Sequence, residues 1–553
     1  MLKRKDLTEG TIEKVEYPNR GTYIAETGQK VVVKNTIPGQ KVRHRITKKH
    51  ANKVEGRLLE VLEASPLETR EPLCGIFPAC GGCTYQTLPY EEQLRLKEEQ
   101  LRELLAPVME EDTVWDGIFR SPEETGYRNK MEFSFGDDRP GGPLTLGLHK
   151  KGSTYDVLTA DTCRIVPEDM TKILAEVLAY CREMHFPKYN KMNHTGYLRY
   201  LLLRHSVSAD EIFAVLVTTH QEEHDFTPLA ERLKALPLQG SLVGFFHAYE
   251  DSFSDDLKCE EMIPLFGRDW FYEELLGLRF KVTTASFFQT NSRGAEVLYG
   301  LVRSYVSESL REGRSGRPVL YDLYSGTGTI AQILSPAASH VYGVEIVEDA
   351  VAAARENAAL NGIGNCTFLA GDVLEKLGEI EERPDYVILD PPREGVNPKA
   401  LRQIMQYDIP AMVYISCKAT SFVNDMLTLR AAGWRIRRAA LVDLFPETCH
   451  VETVVLLGRK NDEVTDYAYV PYEPDPDKLK DLPGNASYRE IKEWIYSKYK
   501  TNVSSLNVAQ VKRKHGIIER ENYYKGADGH KVPTCPKEKE EMIEEALKHF
   551  RMI

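Results

Sequence analysis

Three thiols crowd one short stretch of the 553-residue chain, Cys74, Cys80 and Cys83 in CGIFPACGGC, and Cys163 can complete a set of four from a distance. Four thiolates suit either zinc or an iron–sulfur cluster, and the three-plus-one grouping favours a cluster over the paired couplets of a zinc knuckle. Further along, Asp322-Leu323-Tyr324-Ser325-Gly326-Thr327-Gly328-Thr329 forms a glycine-rich turn whose backbone can approach an adenosine moiety closely. Glu345 is spaced to accept hydrogen bonds from ribose hydroxyls, and Asp372 to reach the adenine edge. Together they read as an S-adenosylmethionine site. The third glycine of a dinucleotide fingerprint is missing, so a bound pyrophosphate is not implied. Arg393 follows Asp390-Pro391-Pro392, where methyltransferases acting on planar nitrogen place an aromatic ring, and that class is disfavoured. Cys417 ends Tyr-Ile-Ser-Cys. A lone cysteine closing a buried strand is ordinarily inert core, but this one is predicted at the same sheet edge as the cofactor residues.

Those positions follow from an alternation of strands and helices. Val319–Leu323, His340–Glu345, Tyr386–Leu389 and Met412–Ile415 are short apolar runs, each ending in a chemically active residue and most followed by a helical stretch. The pattern predicts a doubly wound, mostly parallel sheet, with ligands beyond the carboxyl ends of its strands. Ahead of it, residues 7–62 alternate polar and apolar with turn signals at Pro18-Asn19, Gly28 and Pro38-Gly39, as in a small β-barrel. Lys41, Arg43, Arg45, Lys48, Lys49, Lys53 and Arg57 give it a basic stripe, suited to an oligonucleotide-binding fold.

The formal charge of −12 argues weakly against nucleic acid, but it hides a reversal: residues 1–60 hold 14 Lys+Arg against 7 Asp+Glu. A basic module thus sits on an acidic body. No run of about 18 apolar residues exists, so no membrane is expected. The first residues, MLKRKDLTEG, lack the apolar stretch of a secretory signal, so a cytoplasmic location is expected. No obligate protein partner is evident. The domains expected are a basic β-barrel (1–62), a cysteine loop (63–88), a helix packed on the methyltransferase domain (89–110), a central α+β domain (111–280), a Rossmann-like methyltransferase domain (281–460), a linker (461–484) and a helical C-terminal extension (485–553).

A thiol beside a methyl-sulfonium site has a chemical rationale. C5 of uracil is a poor nucleophile until a thiolate adds to C6 and turns the ring into an enolate. A base must then remove the C5 proton, and Glu452, in His450-Val451-Glu452, is a suitable carboxylate. The chain resembles the bacterial RNA uracil-C5 methyltransferases that make 5-methyluridine, specifically the ribosomal RNA branch with a TRAM domain and an iron–sulfur cluster. The marks are the basic barrel, CGIFPACGGCTYQ with Cys163, Tyr127-Arg128-Asn129-Lys130, Phe288-Gln289-Thr290-Asn291, DLYSGTGT, DPPREG, ISC and HVET, over about residues 1–458.

The resemblance implies Cys417 as nucleophile and Glu452 as base. It implies Gln289, Tyr324, Glu345, Asp372 and Asp390 as cofactor-pocket residues. Cys74, Cys80, Cys83 and Cys163 would be ligands of a 4Fe-4S cluster, with zinc as the alternative. It further implies large-subunit ribosomal RNA as partner, since the transfer RNA branch commonly lacks both the cluster cysteines and the TRAM barrel. Transfer RNA is the runner-up substrate. Lys418-Ala419 departs from the Asn-Pro that usually follows the nucleophile, which keeps open a non-catalytic RNA-binding or assembly protein with a decayed methyltransferase domain.

Overall fold

The computed structural model describes residues 2–252, 261–310, 317–407, 409–459, 488–501, 503–515, 535–550 and 552. They fall into two units, 1–461 and 462–553. In the first unit, six strands open the chain: Leu7–Thr11 (β1), Lys14–Glu16 (β2), Arg20–Ile24 (β3), Lys30–Lys34 (β4), Lys41–Lys49 (β5) and Lys53–Glu63 (β6). They form one sheet in the order β1-β5-β6-β4-β3-β2, antiparallel except for β4 and β6. Val42, His44 and Ile46 of β5 alternate inward onto Ile12, Val31, Val33 and Val54, while Lys41, Arg43 and Arg45 face out. Three register shifts in the β5–β6 ladder bend it. The basic stripe is more neutral than its sequence suggests. Arg43 pairs with Glu9 and Glu60, and Lys41 with Glu63, because acids stand on the facing strands.

After the cysteine loop come helix Tyr90–Leu105 (α1) and strand Val114–Phe119 (β7). The central sheet starts only at Lys130–Asp137 (β8), followed by Leu144–His149 (β9), Val157–Thr159 (β10), Glu168–Glu183 (α2), Leu198–Ser206 (β11), Glu211–Thr218 (β12), Thr227–Lys234 (α3), Ser241–Tyr249 (β13) and Glu261–Gly267 (β14). Its order is β10-β9-β8-β11-β12-β13-β14, and α2 and α3 share an apolar core with it. A hairpin, Trp270–Leu275 (β15) and Leu278–Thr283 (β16), leads to Ser292–Leu310 (α4).

The last domain of this unit runs Val319–Leu323 (β17), Thr329–Leu334 (α5), His340–Glu345 (β18), Glu348–Leu360 (α6), Cys366–Ala370 (β19), Val373–Lys376 (α7), Tyr386–Leu389 (β20), Pro398–Ile404 (α8), Ala411–Ser416 (β21), Ala419–Ala431 (α9), Trp434–Val442 (β22) and Glu452–Arg459 (β23). Near-continuous apolar runs in β17, β20 and β21 are buried throughout, as parallel strands covered on both faces must be. The eight-stranded order is β19-β18-β17-β20-β21-β23-β22-β7, with β23 antiparallel to both of its neighbours. Strands β17 and β20 run parallel, and the order of successive strands reverses between them, the switch point beyond whose carboxyl ends open α/β sheets bind ligands. β7 pairs in parallel with β22, so the expected central domain of 111–280 loses its first strand to the eight-stranded sheet. The physical reason is an open edge: β22 would otherwise expose unpaired backbone groups.

Helix α1 is fastened to the same sheet by a buried ion pair. Lys97 Nζ lies 2.8 Å from Asp443 Oδ1, with both side chains at most 1% exposed, and also donates to Phe445 O at 3.0 Å. Leu101 packs with Ala419, Leu441 and Val451. Asn129 joins the central sheet to the start of α4: its Nδ2 donates to Gln289 O and Ser292 Oγ, both at 2.9 Å.

In the second unit, Tyr488–Tyr499 (α10), Ser505–Lys514 (α11) and Lys537–His549 (α12) pack around Ile491, Ile495, Val508, Ile543 and Leu547. The expected linker 461–484 lies outside the described residues. No helix among the described residues is long and apolar enough to cross a membrane.

Truncating one partner of a buried ion pair strands the other charge. Lys97→Met should therefore destabilise the first unit by about 3–5 kcal/mol, read as a lowered denaturation midpoint. Lys97→Met/Asp443→Leu should recover most of that loss. Equal midpoints for the single and double variants would show that the pair does not hold α1.

Candidate active site

The turn after β17 is shaped by its backbone. Tyr324 adopts φ 67°, a left-handed conformation uncommon outside glycine, and both its N–H and that of Ser325 donate to Val344 O on the neighbouring strand, at 2.9 and 3.0 Å. Gly328, at φ 74°, has no room for a side chain, since a Cβ would stand 2.6 Å from Phe368. Glu345 closes β18 and clasps this turn: its carboxylate accepts from Gly326 N–H and Val347 N–H, each at 3.0 Å. Asp372, beyond β19, caps α7 by accepting from Leu374 N–H at 2.9 Å. The three adjacent strands β17, β18 and β19 thus bring Tyr324, Glu345 and Asp372 to one edge.

Polar groups are left over in this cradle. Asp322 is fully buried; its Oδ2 accepts from Ala331 N–H at 2.9 Å, while its Oδ1 and Ser325 Oγ have no partner among the described residues. Burial first, then the charge of Asp390, pushes the Asp322 carboxyl up to about 8. Unpaired buried polar atoms beside a glycine turn and an acid suit a nucleoside with a charged tail, and in that respect the residues fit S-adenosylmethionine.

A second cluster lies across the reversal point. The β21–β23 ladder ends at the pair Ser416–Thr453, so the next residues on the two strands are Cys417 and Glu452. Asp390 ends the neighbouring β20, in register with β21 through Leu389 and Tyr414. Cys417 is half-buried. Burial raises its thiol pKa, the charges of Glu452 and Asp390 raise it further, and the charge and hydrogen bond of Arg393 oppose them. Burial, aided by Asp390, pushes Glu452 up to about 8, and burial alone pushes Asp390 up to about 7. A thiol next to a carboxyl group that exchanges its proton near neutral pH can combine nucleophilic addition with proton abstraction.

Gln289 joins this centre through a residue the sequence did not single out. That residue is Tyr299 of α4, a buried phenol whose ionisation is suppressed by burial and then by Asp390, Asp322 and Glu452, with the nearby Gln289 side chain acting the other way. Tyr299 occurs among Leu298, Val302 and Tyr305 at ordinary helical spacing, so nothing in the sequence marked it. Arg393 was legible only as a missing aromatic, whereas in the structure it is the cation beside Cys417 and Glu452.

The four loop cysteines are brought together elsewhere in the same unit. All are buried. Gly75 N–H donates to Thr162 Oγ1 at 3.2 Å, docking the loop on the segment that carries Cys163, and Gly82 N–H donates to Cys80 Sγ at 3.3 Å. Burial raises the thiols of Cys80, Cys83 and Cys163, and neighbouring thiols of the same set raise them further. Among the described residues, no group of three or more His, Cys, Asp or Glu side chains meets the spacing for holding a metal ion.

Comparison with known proteins gives a consistent result. The profile of the tRNA (uracil-5-)-methyltransferase family matches residues 89–460. An uncharacterized RNA methyltransferase of Clostridium tetani is 45% identical over 453 residues, 82% of this chain and 98% of that protein. Another, from Clostridium acetobutylicum, is 43% identical over 460 residues, 83% of this chain and 99% of that one. The fold is like that of the Pyrococcus abyssi tRNA (uracil-54, C5)-methyltransferase solved with S-adenosyl-L-homocysteine: TM-score 0.63, 23% identity, spanning 81% of this chain and 100% of that chain. The site, its strand order and these likenesses agree: the chain belongs to the tRNA (uracil-5-)-methyltransferase family of RNA-modifying enzymes.

Proposed function

We propose that the protein methylates C5 of a uridine in RNA, large-subunit ribosomal RNA foremost, through a covalent adduct between Cys417 and C6 of the base. The observation that carries this reading is the placement of Cys417 and Glu452 side by side at the end of one ladder, beyond the same strand ends as the glycine turn. The Cys417 thiolate adds to C6, and the C5=C6 electron pair becomes an enolate nucleophilic at C5. S-adenosylmethionine supplies the electrophilic methyl group, and Tyr324, Glu345, Asp372, Gln289 and Asp390 would form its pocket. Glu452 then takes the C5 proton, the C5=C6 bond reforms, and the sulfur leaves as thiolate. Arg393 compensates charge beside the thiolate and the carboxylate. That centre keeps its nucleophile, base and cation together, which favours an active enzyme over a decayed one.

The cysteine loop and the N-terminal β module, read as a TRAM domain, favour ribosomal RNA. Transfer RNA is the second reading, favoured by the name of the family. Flipping the target base costs a few kcal/mol and is cheapest in a loop, so a folded single-stranded segment suits either substrate. Cys74, Cys80, Cys83 and Cys163 would hold a 4Fe-4S cluster that fastens the loop to the central sheet. Their burial, their mutual electrostatic influence and the N–H donated to Cys80 Sγ support that reading.

With S-adenosylmethionine present, 5-fluorouridine-substituted ribosomal RNA should trap the wild-type protein as a denaturation-resistant adduct faster than substituted transfer RNA does. Cys417→Ala should trap neither. Glu452→Gln, on ordinary uridine RNA, should accumulate methylated adduct while turnover falls by about 10²–10⁴-fold. A wild-type chain that traps neither RNA would refute the mechanism. Both ionising groups are raised above their ordinary ranges, and both must be deprotonated to react. Turnover should therefore rise as pH increases through about 8, the value at Glu452, and a rate that falls over that range would contradict the assignment. Anaerobically purified protein should hold iron and acid-labile sulfide in equal amounts, with zinc alone as the contrary result.

A further inference from the structure

Residues 443–451 join β22 to β23, and the two strands meet at the pair Val442–Glu452, so whatever fixes this connection fixes the start of β23. Glu447 stands near its middle in the left-handed conformation, φ 67°, which a residue with a Cβ keeps only where its surroundings hold it.

Those surroundings come from two distant parts of the chain. The buried Glu447 carboxylate pairs with Arg70 through one oxygen and accepts from Gln93 Nε2 of α1 at 3.1 Å through the other. The Glu447 N–H donates to Gln93 Oε1 at 2.9 Å. Its carbonyl oxygen accepts from the Thr84 and Tyr85 amides at 2.7 and 3.0 Å, and Thr84 directly follows Cys83. Arg70 Nε donates to Gln86 O at 2.9 Å, and the Gln86 side chain accepts from Cys74 N–H at 3.1 Å, so both ends of the cysteine loop belong to the clamp. Onward from Glu447, Thr448 Oγ1 donates to Phe445 O at 2.9 Å and accepts from His450 N–H at 3.1 Å. Val451, the next residue, is buried in the cluster with Leu101 of α1.

We propose that Glu447 is a positioning residue for proton abstraction: clamped by Arg70, Gln93 and the amides after Cys83, it holds the 443–451 connection in the form that delivers Glu452 beside Cys417. This rests on the functional reading above and deepens it, because the cysteine loop then serves the second half of the reaction. Thiolate addition and methyl transfer use Cys417 and the cofactor residues, which lie on other strands and turns, whereas release of the product uses Glu452. Simple anchoring of the loop would slow every step alike. A displaced base instead stops the reaction at one point, with methylated RNA still bound to Cys417.

The test compares full-length wild type, Glu447→Ala, Glu447→Gln, Arg70→Ala and Glu452→Gln on a uridine-containing ribosomal RNA fragment with methyl-labelled S-adenosylmethionine. Four quantities are read: the single-turnover rate of methyl transfer to free and protein-bound RNA, the steady-state turnover, the fraction of protein in denaturation-resistant methylated adduct, and the affinity for the RNA. Glu447→Ala should lower turnover about 10²-fold, the effect of misplacing a reacting group by about 1 Å, while methyl transfer stays within about threefold and methylated adduct accumulates. Arg70→Ala should show the same pattern more weakly. Glu447→Gln keeps the backbone contacts and one acceptor oxygen, and should lose least. Wild-type turnover in Glu447→Ala, a loss shared equally by methyl transfer and turnover, or a loss confined to RNA affinity would overturn the proposal. Should Glu447→Ala fail to fold, Arg70→Ala decides by the same criteria. If Glu452→Gln itself accumulates no adduct, the functional reading fails and this inference falls with it. Adduct in Glu452→Gln but none in folded Glu447→Ala overturns the positioning role alone.

Discussion

Three carboxyl groups and one thiol lie close enough at the ends of adjacent strands to shift one another's ionisation, and the rest of the site is arranged around the cost of putting them there. Asp322, Asp390 and Glu452 each hold protons far above the ordinary carboxylate range because burial disfavours their charged forms, and for Asp322 and Glu452 a neighbouring carboxyl adds to that. Among the described residues, Arg393 is the cation that opposes the shift at both Cys417 and Glu452. The site is therefore poised to accept positive charge and to pass a proton at near-neutral pH. A methyl sulfonium would meet the first requirement, and the proposed removal of a ring proton from a covalent adduct would use the second. Tyr299 lies within the same field, which together with burial keeps it neutral.

Position in the fold explains why these groups tolerate such burial. They lie at or beside strand ends, where the backbone is already paired, near the point at which the order of successive strands reverses. The supporting scaffold is drawn from distant parts of the chain. The segment between Asp443 and Glu452 is held by Lys97, by Gln93 and Arg70 on the Glu447 carboxylate, and by Thr84 and Tyr85 amides donating to Glu447 O. The cysteine loop thus ends in direct contact with the segment that leads to Glu452.

Much of this was legible in the sequence, for identifiable reasons. The strands ending in Tyr324, Glu345, Asp390 and Cys417 are apolar runs with sharp ends, and local composition alone defines them. The glycine turn is likewise a local feature. The pairing of β7 with β22 was not legible, because it joins residues more than 300 positions apart and depends on which edge happens to be open. Nor was the neutralisation of the basic stripe, since Glu9, Glu60 and Glu63 become partners of Arg43 and Lys41 only once the strands are registered. Tyr299 looked like an ordinary aromatic in a helix, and its place near Asp390, Asp322 and Glu452 arises from tertiary placement, which no spacing rule reports.

The strand that carries Glu452 is the last of its sheet to be synthesised, yet it sits inside the sheet, between β21 and β22. While the chain is still emerging from the ribosome, the thiol has no base beside it, and an interior slot stays open until residue 459 is free to insert. Every earlier element, including the glycine turn and the N-terminal module, can be in place beforehand. In a nascent chain the arrangement would therefore stay incomplete until β23 has emerged and inserted, and it would be completed in a single step at that point.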